Sequence, residues 1–339
     1  MKINCSIIGG GIVGLMTARE VARAKPSWDI AVFESSEYLG DATTGRNSGV
    51  LHSGIYYPTN SLKHTLCMQG NSLWREEPGA NIISCGKMLV GDDLSDLEFK
   101  ANNNGVEYRY ANDEELEQLN LYTHSDKALF IASTGVLDIA SFIREITYEL
   151  KSMGVAVLIN SKVTELKPSC LKVGDDWYQS DLIINCAGLG AIELRSKLGL
   201  TNYTQKLVKG RWLTTTEKFE APWLIYPKPL PNLLGLGVHS CIDPDGSVRF
   251  GPDAYPIVAG SVDYTFGDYE NLLSDTLAQF PNLDKSRISP SMVGIRTKLE
   301  ETTDFVVDSP LPGYIEALGI ESPGLTAAPA IAKLIVDLI

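Results

Sequence analysis

Residues 2–16 read KINCSIIGGGIVGLM, and how this run is parsed decides the fold. Positions 2–8 are short, isoleucine-rich and weakly alternating, which predicts a strand; Ile12, Leu15, Met16 and Val21 then recur at helical spacing up to Lys25-Pro26. Between the two, Gly9-x-Gly11-x-x-Gly14 has the spacing of a dinucleotide-binding turn. The first glycine permits the tight turn, the second lets backbone approach a pyrophosphate, and the third lets helix pack on strand. The N–H groups that open the helix then face the phosphates. A secretion signal also starts with a cation and an apolar run, but it has no need of glycines at 9, 10, 11 and 14, so a nucleotide site is the expectation.

Residues 29–34 (DIAVFE) are a second apolar run ending in an acid, which completes a βαβ unit and predicts a parallel sheet. Glu34 stands where an acid bonds the ribose hydroxyls, and its charge disfavours a 2′-phosphate, so NAD and FAD remain open at this point. Residues 39–54 turn to Gly, Thr, Ser and Asn, the composition of a long ordered loop of the kind that carries function. Residues 73–134 are polar, with a turn at 102–105 and an acidic helical run near Glu114, and predict part of a second lobe. Asp138 caps a predicted helix through Met153 whose apolar face is Ile139, Phe142, Ile143, Ile146 and Leu150, and Gly154 stops it. Strands follow at 155–159, 163–166 and 171–173, then 181–186 (DLIINC) runs into the turn 187–190. Strand-like segments at 206–216, 233–242 and 247–251, with a helix near 272–280, predict a mostly antiparallel sheet, and a strand at 314–318 precedes a turn at 322–324 and a final helix. No internal repeat or low-complexity stretch is present.

The predicted fold class is therefore α/β: a Rossmann-type nucleotide domain (1–75, 135–202 and 291–339) interleaved with an α+β substrate domain (76–134 and 203–290) that contains the mostly antiparallel sheet. An NAD dehydrogenase usually completes a contiguous doubly wound domain, so two interruptions favour FAD.

With 339 residues, 44% of them hydrophobic, the chain can build a sizeable core. Its net charge of −13 argues against nucleic acid and anionic lipid as partners. The six cysteines (Cys5, Cys67, Cys85, Cys170, Cys186, Cys241) are scattered, with no C-x-x-C pair, which indicates neither a metal site nor a disulfide framework and suits a reducing cytoplasm. No stretch approaches the 18 to 20 or so apolar residues of a membrane span.

Residues 43–58, TTGRNSGVLHSGIYYP, closely resemble the signature of the L-2-hydroxyglutarate oxidase/dehydrogenase family, within the larger D-amino-acid-oxidase-like FAD superfamily. Further similar segments are 61–63 (SLK), 85–87 (CGK), 185–189 (NCAGL), 237–239 (GVH), 251–254 (GPDA), 294–296 (GIR) and 318–326 (LGIESPGLT), so the resemblance spans nearly the whole chain. It implies extended FAD with its adenosine end at Gly9, Gly11, Gly14 and Glu34 and with Val163 near the adenine. It also implies that Thr44, Asn47, Ser48 and Gly49 line the phosphates and ring, that Ala187 and Gly188 contact the cofactor, and that Gly324, Leu325 and Thr326 open a helix whose positive end faces the flavin pyrimidine. Two departures stand out: the segment 74–106 looks shortened, and Lys209-Gly210-Arg211-Trp212 replaces an expected basic-Gly-acidic-aromatic pattern.

Oxidising a small carboxylate substrate at a hydroxyl-bearing α-carbon needs a base, a cation for the carboxylate, and hydride transfer to flavin N5. His239 is the expected base, the alternative being a hydrogen-bonded core histidine. His52, in the glycine-rich loop, is expected near the ring, where it orients substrate, shares the base role or carries a covalent link; a loop-rigidifying bond is the blander reading. Arg296 suits bidentate capture of the α-carboxylate, against a surface arginine. Lys209 and Arg211 are candidates for a second carboxylate, or a solvated strand edge, and Tyr56 and Tyr57 for pocket residues or packing. His64 and His124 read as surface residues. The expected electron acceptor is oxygen or a quinone, and the expected location cytoplasmic, with peripheral contact at the inner membrane face left open. The competing functions are an amine or amino-acid oxidase of the same superfamily and a flavin-binding protein without turnover.

Overall fold

The computed structural model describes residues 2–228, 237–258 and 262–339. The opening βαβ unit forms as the sequence predicts: strand Lys2–Ile8, helix Ile12–Ala24 and strand Ile30–Phe33. Lys2–Ile8 pairs in parallel with Ile30–Phe33 on one side and with Asp176–Asn185 on the other. Ala156–Leu158 and Tyr314–Leu318 extend the parallel array at its two edges. Alternation sorts the side chains: Ile7, Val32 and Ile184 meet the helices on one face, while Ile8, Phe33 and Ile183 meet the antiparallel meander Val163–Lys167, Cys170–Val173 and the start of Asp176–Asn185 on the other. With both faces covered, the crevice at the carboxyl ends of the strands is the place for a ligand.

Three helices cover the first face. In Ile139–Ser152 the Asp138 side chain accepts from Ser141 N at 2.9 Å, and Phe142, Ile146 and Leu150 are buried. The C-terminal helix Gly324–Asp337 is apolar nearly all round, and its alanines admit a close neighbour. That neighbour, Leu62–Glu76, was not visible in the sequence, because Gly70, Asn71 and scattered polar residues blur its period. Ser61 caps it, and the Asp304 carboxylate accepts from Leu62 N and Lys63 N at 2.7 and 2.8 Å. A Cβ at Gly70 would lie 2.1 Å from Thr326 O, so glycine is what lets these two helices touch.

The second lobe centres on Gln205–Thr215, paired along its length with Ile288–Leu299 and on its other edge with Tyr255–Ile257 and Val248–Gly251, the last carrying His239–Ile242. All these pairings are antiparallel. Ile288–Leu299 runs through the expected domain boundary at 291, so residues 291–299 share the antiparallel sheet. The first part of the predicted strand 233–242 lies outside the described residues. A four-stranded sheet, in the order Leu224–Pro227, Lys87–Val90, Ala128–Ile131, Arg109–Tyr110, packs alongside and is tied on by Ile225 N donating to Ser240 Oγ at 2.8 Å. Among the described residues no helix is long and apolar enough to cross a membrane.

Candidate active site

A continuous cavity of about 1410 Å³ begins at the carboxyl ends of the parallel strands and reaches between the lobes to His239. At its nucleotide end Gly9 has φ +108°, and a Cβ there would sit 2.3 Å from Cys186 O. Gly14 does not line the cavity; it packs so tightly on the turn that a Cβ would be 2.0 Å from Gly9 O, which is the helix-packing role its spacing predicts. Gly11 lines the wall, and no side chain of its own caps the helix it opens. Ile12 N instead donates to Thr44 Oγ1 at 3.0 Å. Glu34 lines the cavity with its carboxylate accepting from Gly10 N (2.6 Å) and Ser36 N (2.8 Å), and Val163, Ala187 and Gly188 complete this end. A backbone cradle where Cβ atoms do not fit, a helix N-terminus that opens on the cavity and a fixed carboxylate are a fit to the adenosine diphosphate half of FAD.

The glycine-rich loop forms the next wall. Asn47 braces it, donating to Thr43 O and Thr44 O at 3.0 and 2.7 Å and accepting from Gly49 N at 2.7 Å. Thr44, Asn47 and Ser48 line the cavity, whereas Gly49 turns to a separate surface hollow, a Cβ there meeting Leu137 O at 3.1 Å. The expected ring contact at Gly49 is thus corrected: its φ of +70° serves the bend that pairs Val50 with Val136. Gly324 and Leu325 line the far end where the C-terminal helix starts. Thr326 is buried behind them, its Oγ1 accepting from His52 N (2.9 Å) and donating to Val50 O (3.3 Å), so it fixes the histidine loop to the helix and does not itself line the cavity.

His52, His239, Arg296, Tyr56 and Tyr57 all line this cavity. His239 is nearly buried, its ring stacked on Tyr226 at 3.9 Å and edge-on to Trp212 at 5.2 Å. Its Nδ1 lies 3.0 Å from Gly237 O, a carbonyl that only accepts, so Nδ1 carries the proton and Nε2 is left as the basic lone pair. Burial pushes its pKa down to about 3, with Arg296 and Lys87 adding to the effect against the Gly237 bond, so the ring is neutral at rest. His52 is likewise lowered to about 3 by burial, then by Lys87 and His239; its Nε2 meets Ser322 Oγ at 3.3 Å, and among the described residues its Nδ1 has no partner. Arg296 keeps most of its fork available, its one hydrogen bond among the described residues being a long 3.4 Å contact to Asp253 O. Gly210 makes room for it, since a Cβ there would lie 2.8 Å from Arg296 Nη2.

Lys209 and Arg211 are not brought to the cavity. Strand alternation gives Gly210 and Trp212 to it and sends their neighbours to the opposite face. There Lys209 Nζ bonds Asp263 Oδ2 and Thr265 O at 2.9 and 2.6 Å, and Arg211 bonds Asp253, Phe266 O and Asp268 O. Both tie Asp253 and residues 263–268 to the sheet. His64 is half-buried, bonded to Asn60 N and Asn104 O, while His124 is exposed. Sequence reasoning missed Trp212 and Tyr226 around His239, Lys87 beside Tyr226, and Glu321, which is shared by Lys63 (2.8 Å) and Lys298 (2.9 Å). For Trp212, the period of two across 209–212 was the available signal. Lys87 and Glu321 stand in segments that carry the family resemblance (85–87 and 318–326), while Tyr226 depends on contacts between distant segments and had no signal.

The chain matches the family described as DAO, FAD dependent oxidoreductase, over residues 5–338. It is 28% identical to a mitochondrial L-2-hydroxyglutarate dehydrogenase of Arabidopsis thaliana, across 99% of this chain and 83% of that protein. It is 31% identical to the L-2-hydroxyglutarate dehydrogenase of Escherichia coli K12 across 73% of this chain, spanning 63% of that relative's length. Among solved structures, an FAD-bound L-alpha-glycerophosphate oxidase from Mycoplasma pneumoniae superposes with a TM-score of 0.89 at 22% identity, covering 100% of this chain and 94% of that one. Glycine oxidase from Geobacillus kaustophilus gives 0.83 at 19% identity, covering 99% and 94%. The last two are likenesses of fold.

Proposed function

The chain belongs to the DAO family of FAD-dependent oxidoreductases, and from that premise we propose that it oxidises a 2-hydroxy acid, L-2-hydroxyglutarate first in line, to the 2-oxo acid. The observation that carries this reading is the pairing, in one cavity, of an imidazole whose tautomer leaves Nε2 unprotonated with an arginine that forms no ion pair with a carboxylate among the described residues. The names of the relatives supply the substrate class.

FAD, when bound, supplies the acceptor for the hydride that leaves the α-carbon. Gly9 and Gly11 would hold its diphosphate, Glu34 its ribose, and Gly324 and Leu325 its pyrimidine end. Arg296 takes the α-carboxylate in its planar fork, which orients the α-carbon. His239 Nε2 receives the hydroxyl proton, and Gly237 O, already bonded to Nδ1–H, steadies the imidazolium that results. His52, held through its backbone by Thr326 and through Nε2 by Ser322, forms the opposite wall. Oxygen or a quinone is the proposed oxidant that closes the cycle.

The test is anaerobic mixing of the holoenzyme with L-2-hydroxyglutarate. Bleaching of the flavin band supports the proposal; bleaching only by amino acids would assign the chain to amine oxidation, and no bleaching by either would mark it as a binding protein.

A further inference from the structure

Lys87 has no part in the chemistry above, yet it is fully buried beside it. Its strand, Lys87–Val90, places Nζ 4.6 Å from the ring centroid of Tyr56 and 5.3 Å from that of Tyr226, whose ring also stacks on His239. Among the described residues Nζ has no hydrogen-bond or ion-pair partner. Tyr56 Oη, Tyr226 Oη and His52 Nδ1 are also buried without one. One amine, two phenols and an imidazole nitrogen thus lack partners in a single cluster, and Tyr56, His52 and His239 of that cluster line the cavity. A buried ammonium with no counter-ion is costly, so the amine gives up its proton far more readily than an exposed lysine unless an anion compensates it.

We propose that Lys87 is the charge-compensating residue of the substrate subsite: it takes up one solvent proton as an organic carboxylate enters the cavity beside Tyr56, and returns it when the carboxylate leaves. The step is R–NH2 plus H⁺ to R–NH3⁺, with no electron moved. Lys87 is a positioning residue, because its charge reaches the ligand across Tyr56. Its neighbourhood fits the role: burial lowers its pKa to about 7, so neutral pH leaves it half-charged and responsive. The ionisable groups around it are Cys67 from Leu62–Glu76, Tyr56 and His52 from the glycine-rich loop, Tyr226 from Leu224–Pro227 and His239, with Arg296 acting beyond His239. The thiol and the tyrosines stay protonated because burial raises their pKa values, and the histidines stay neutral, which leaves Lys87 as the group poised to change.

This inference rests on the proposal that the cavity accepts a carboxylate, so the probe is glutarate, a dicarboxylate with no hydroxyl to oxidise. Oxidised holoenzyme is mixed with glutarate in weak buffer with a pH indicator, and Kd is followed by the shift of the flavin spectrum. About one proton should be taken up per flavin at pH 8 and almost none at pH 5.5, with Kd weakening up to about tenfold per pH unit above 7. Lys87→Met should abolish the uptake and the pH slope with weak binding, and Lys87→Arg should abolish both with tight binding, whereas a purely structural lysine would not separate the two variants. His239→Ala should leave the uptake in place. Uptake that persists in Lys87→Met, or that vanishes in His239→Ala, overturns the proposal. If the variants lose flavin, the wild-type proton count decides, and zero uptake at pH 8 overturns it. Bleaching by L-2-hydroxyglutarate without proton uptake on glutarate binding would sink this inference alone; no binding of glutarate at any pH would sink it together with the carboxylate reading.

Discussion

Alanine at position 210 would set a methyl group 2.8 Å from Arg296 Nη2, 3.1 Å from Pro252 Cβ and 3.2 Å from Asp253 O. The guanidinium is the free end of a long side chain, so it yields first, retreating roughly 0.8 Å to regain ordinary van der Waals separation. The other two neighbours, a proline ring carbon and a backbone carbonyl, need smaller adjustments, and the stability cost should be on the order of 1 kcal/mol. For a group that orients the α-carbon, a displacement approaching 1 Å costs about 10²-fold in kcat/KM, or about 2.7 kcal/mol of transition-state stabilisation. Gly210→Ala should therefore keep its flavin and nearly all its thermal stability while losing most of its catalytic efficiency. The assay is anaerobic flavin reduction over a range of substrate concentrations, read beside a melting curve and beside Arg296→Lys, which loses the planar fork outright. A Gly210→Ala enzyme with wild-type kcat/KM would show that Arg296 does not hold the reacting carboxylate.

His239→Ala should slow flavin reduction by on the order of 10²-fold or more with the bound flavin spectrum unchanged; an unaltered rate would transfer the base role to His52. Lys209→Ala should leave KM where it is, since Nζ is committed to Asp263 and Thr265 outside the cavity, and a raised KM would return Lys209 to the substrate site. Thr326→Val strands the His52 amide and should cost about 1–3 kcal/mol, seen as a lower melting temperature; an unchanged Tm would mean the hydroxyl is dispensable. His52 and His239 both have folded-state pKa values depressed by burial to about 3, so between their ordinary value near 6.5 and about 3 the unfolded chain binds protons that the folded one refuses. The histidines' contribution to stability is then full above that ordinary value and falls as the pH drops, and denaturant midpoints measured from pH 7 to pH 5 should decline; a flat profile would show that both imidazoles already carry their protons when folded.

The nucleotide half was readable because its signals are local. Gly9, Gly11, Gly14 and Glu34 sit within one βαβ unit, and each residue type answers a constraint set by neighbours a few positions away. The helix 139–152 was equally plain, with its cap, apolar face and stop in one window. The second lobe was readable only as strands. Which strands pair is fixed by contacts across long separations, such as Val208 beside Arg296, and no periodicity encodes that. The same limit explains Lys209 and Arg211: alternation correctly predicts that they share a face, but not that this face is turned away from the cavity. Tyr226 and Lys87 come from two strands of a sheet whose register to the nucleotide lobe has no trace in either segment.

The chain is acidic overall, but around the two histidines the balance is set locally and decides what kind of substrate fits. Lys63 and Lys298 share Glu321, and Arg46 pairs with Asp41. On the far face of the strand, Lys209 and Arg211 are matched by Asp263 and Asp253. Among the described residues, Arg296 and Lys87 make no such pair. In the proposed reading both are left for the ligand, one fully charged and one able to become so. An amino acid would bring an ammonium group next to Arg296 and offset part of the attraction of its own carboxylate, whereas a hydroxy acid brings none. A second carboxylate within reach of Tyr56 would be matched by a proton gained at Lys87, so a diacid can be bound without leaving a net buried charge. In the proposed reading, electroneutrality of the cavity therefore favours a hydroxy diacid over an amino acid.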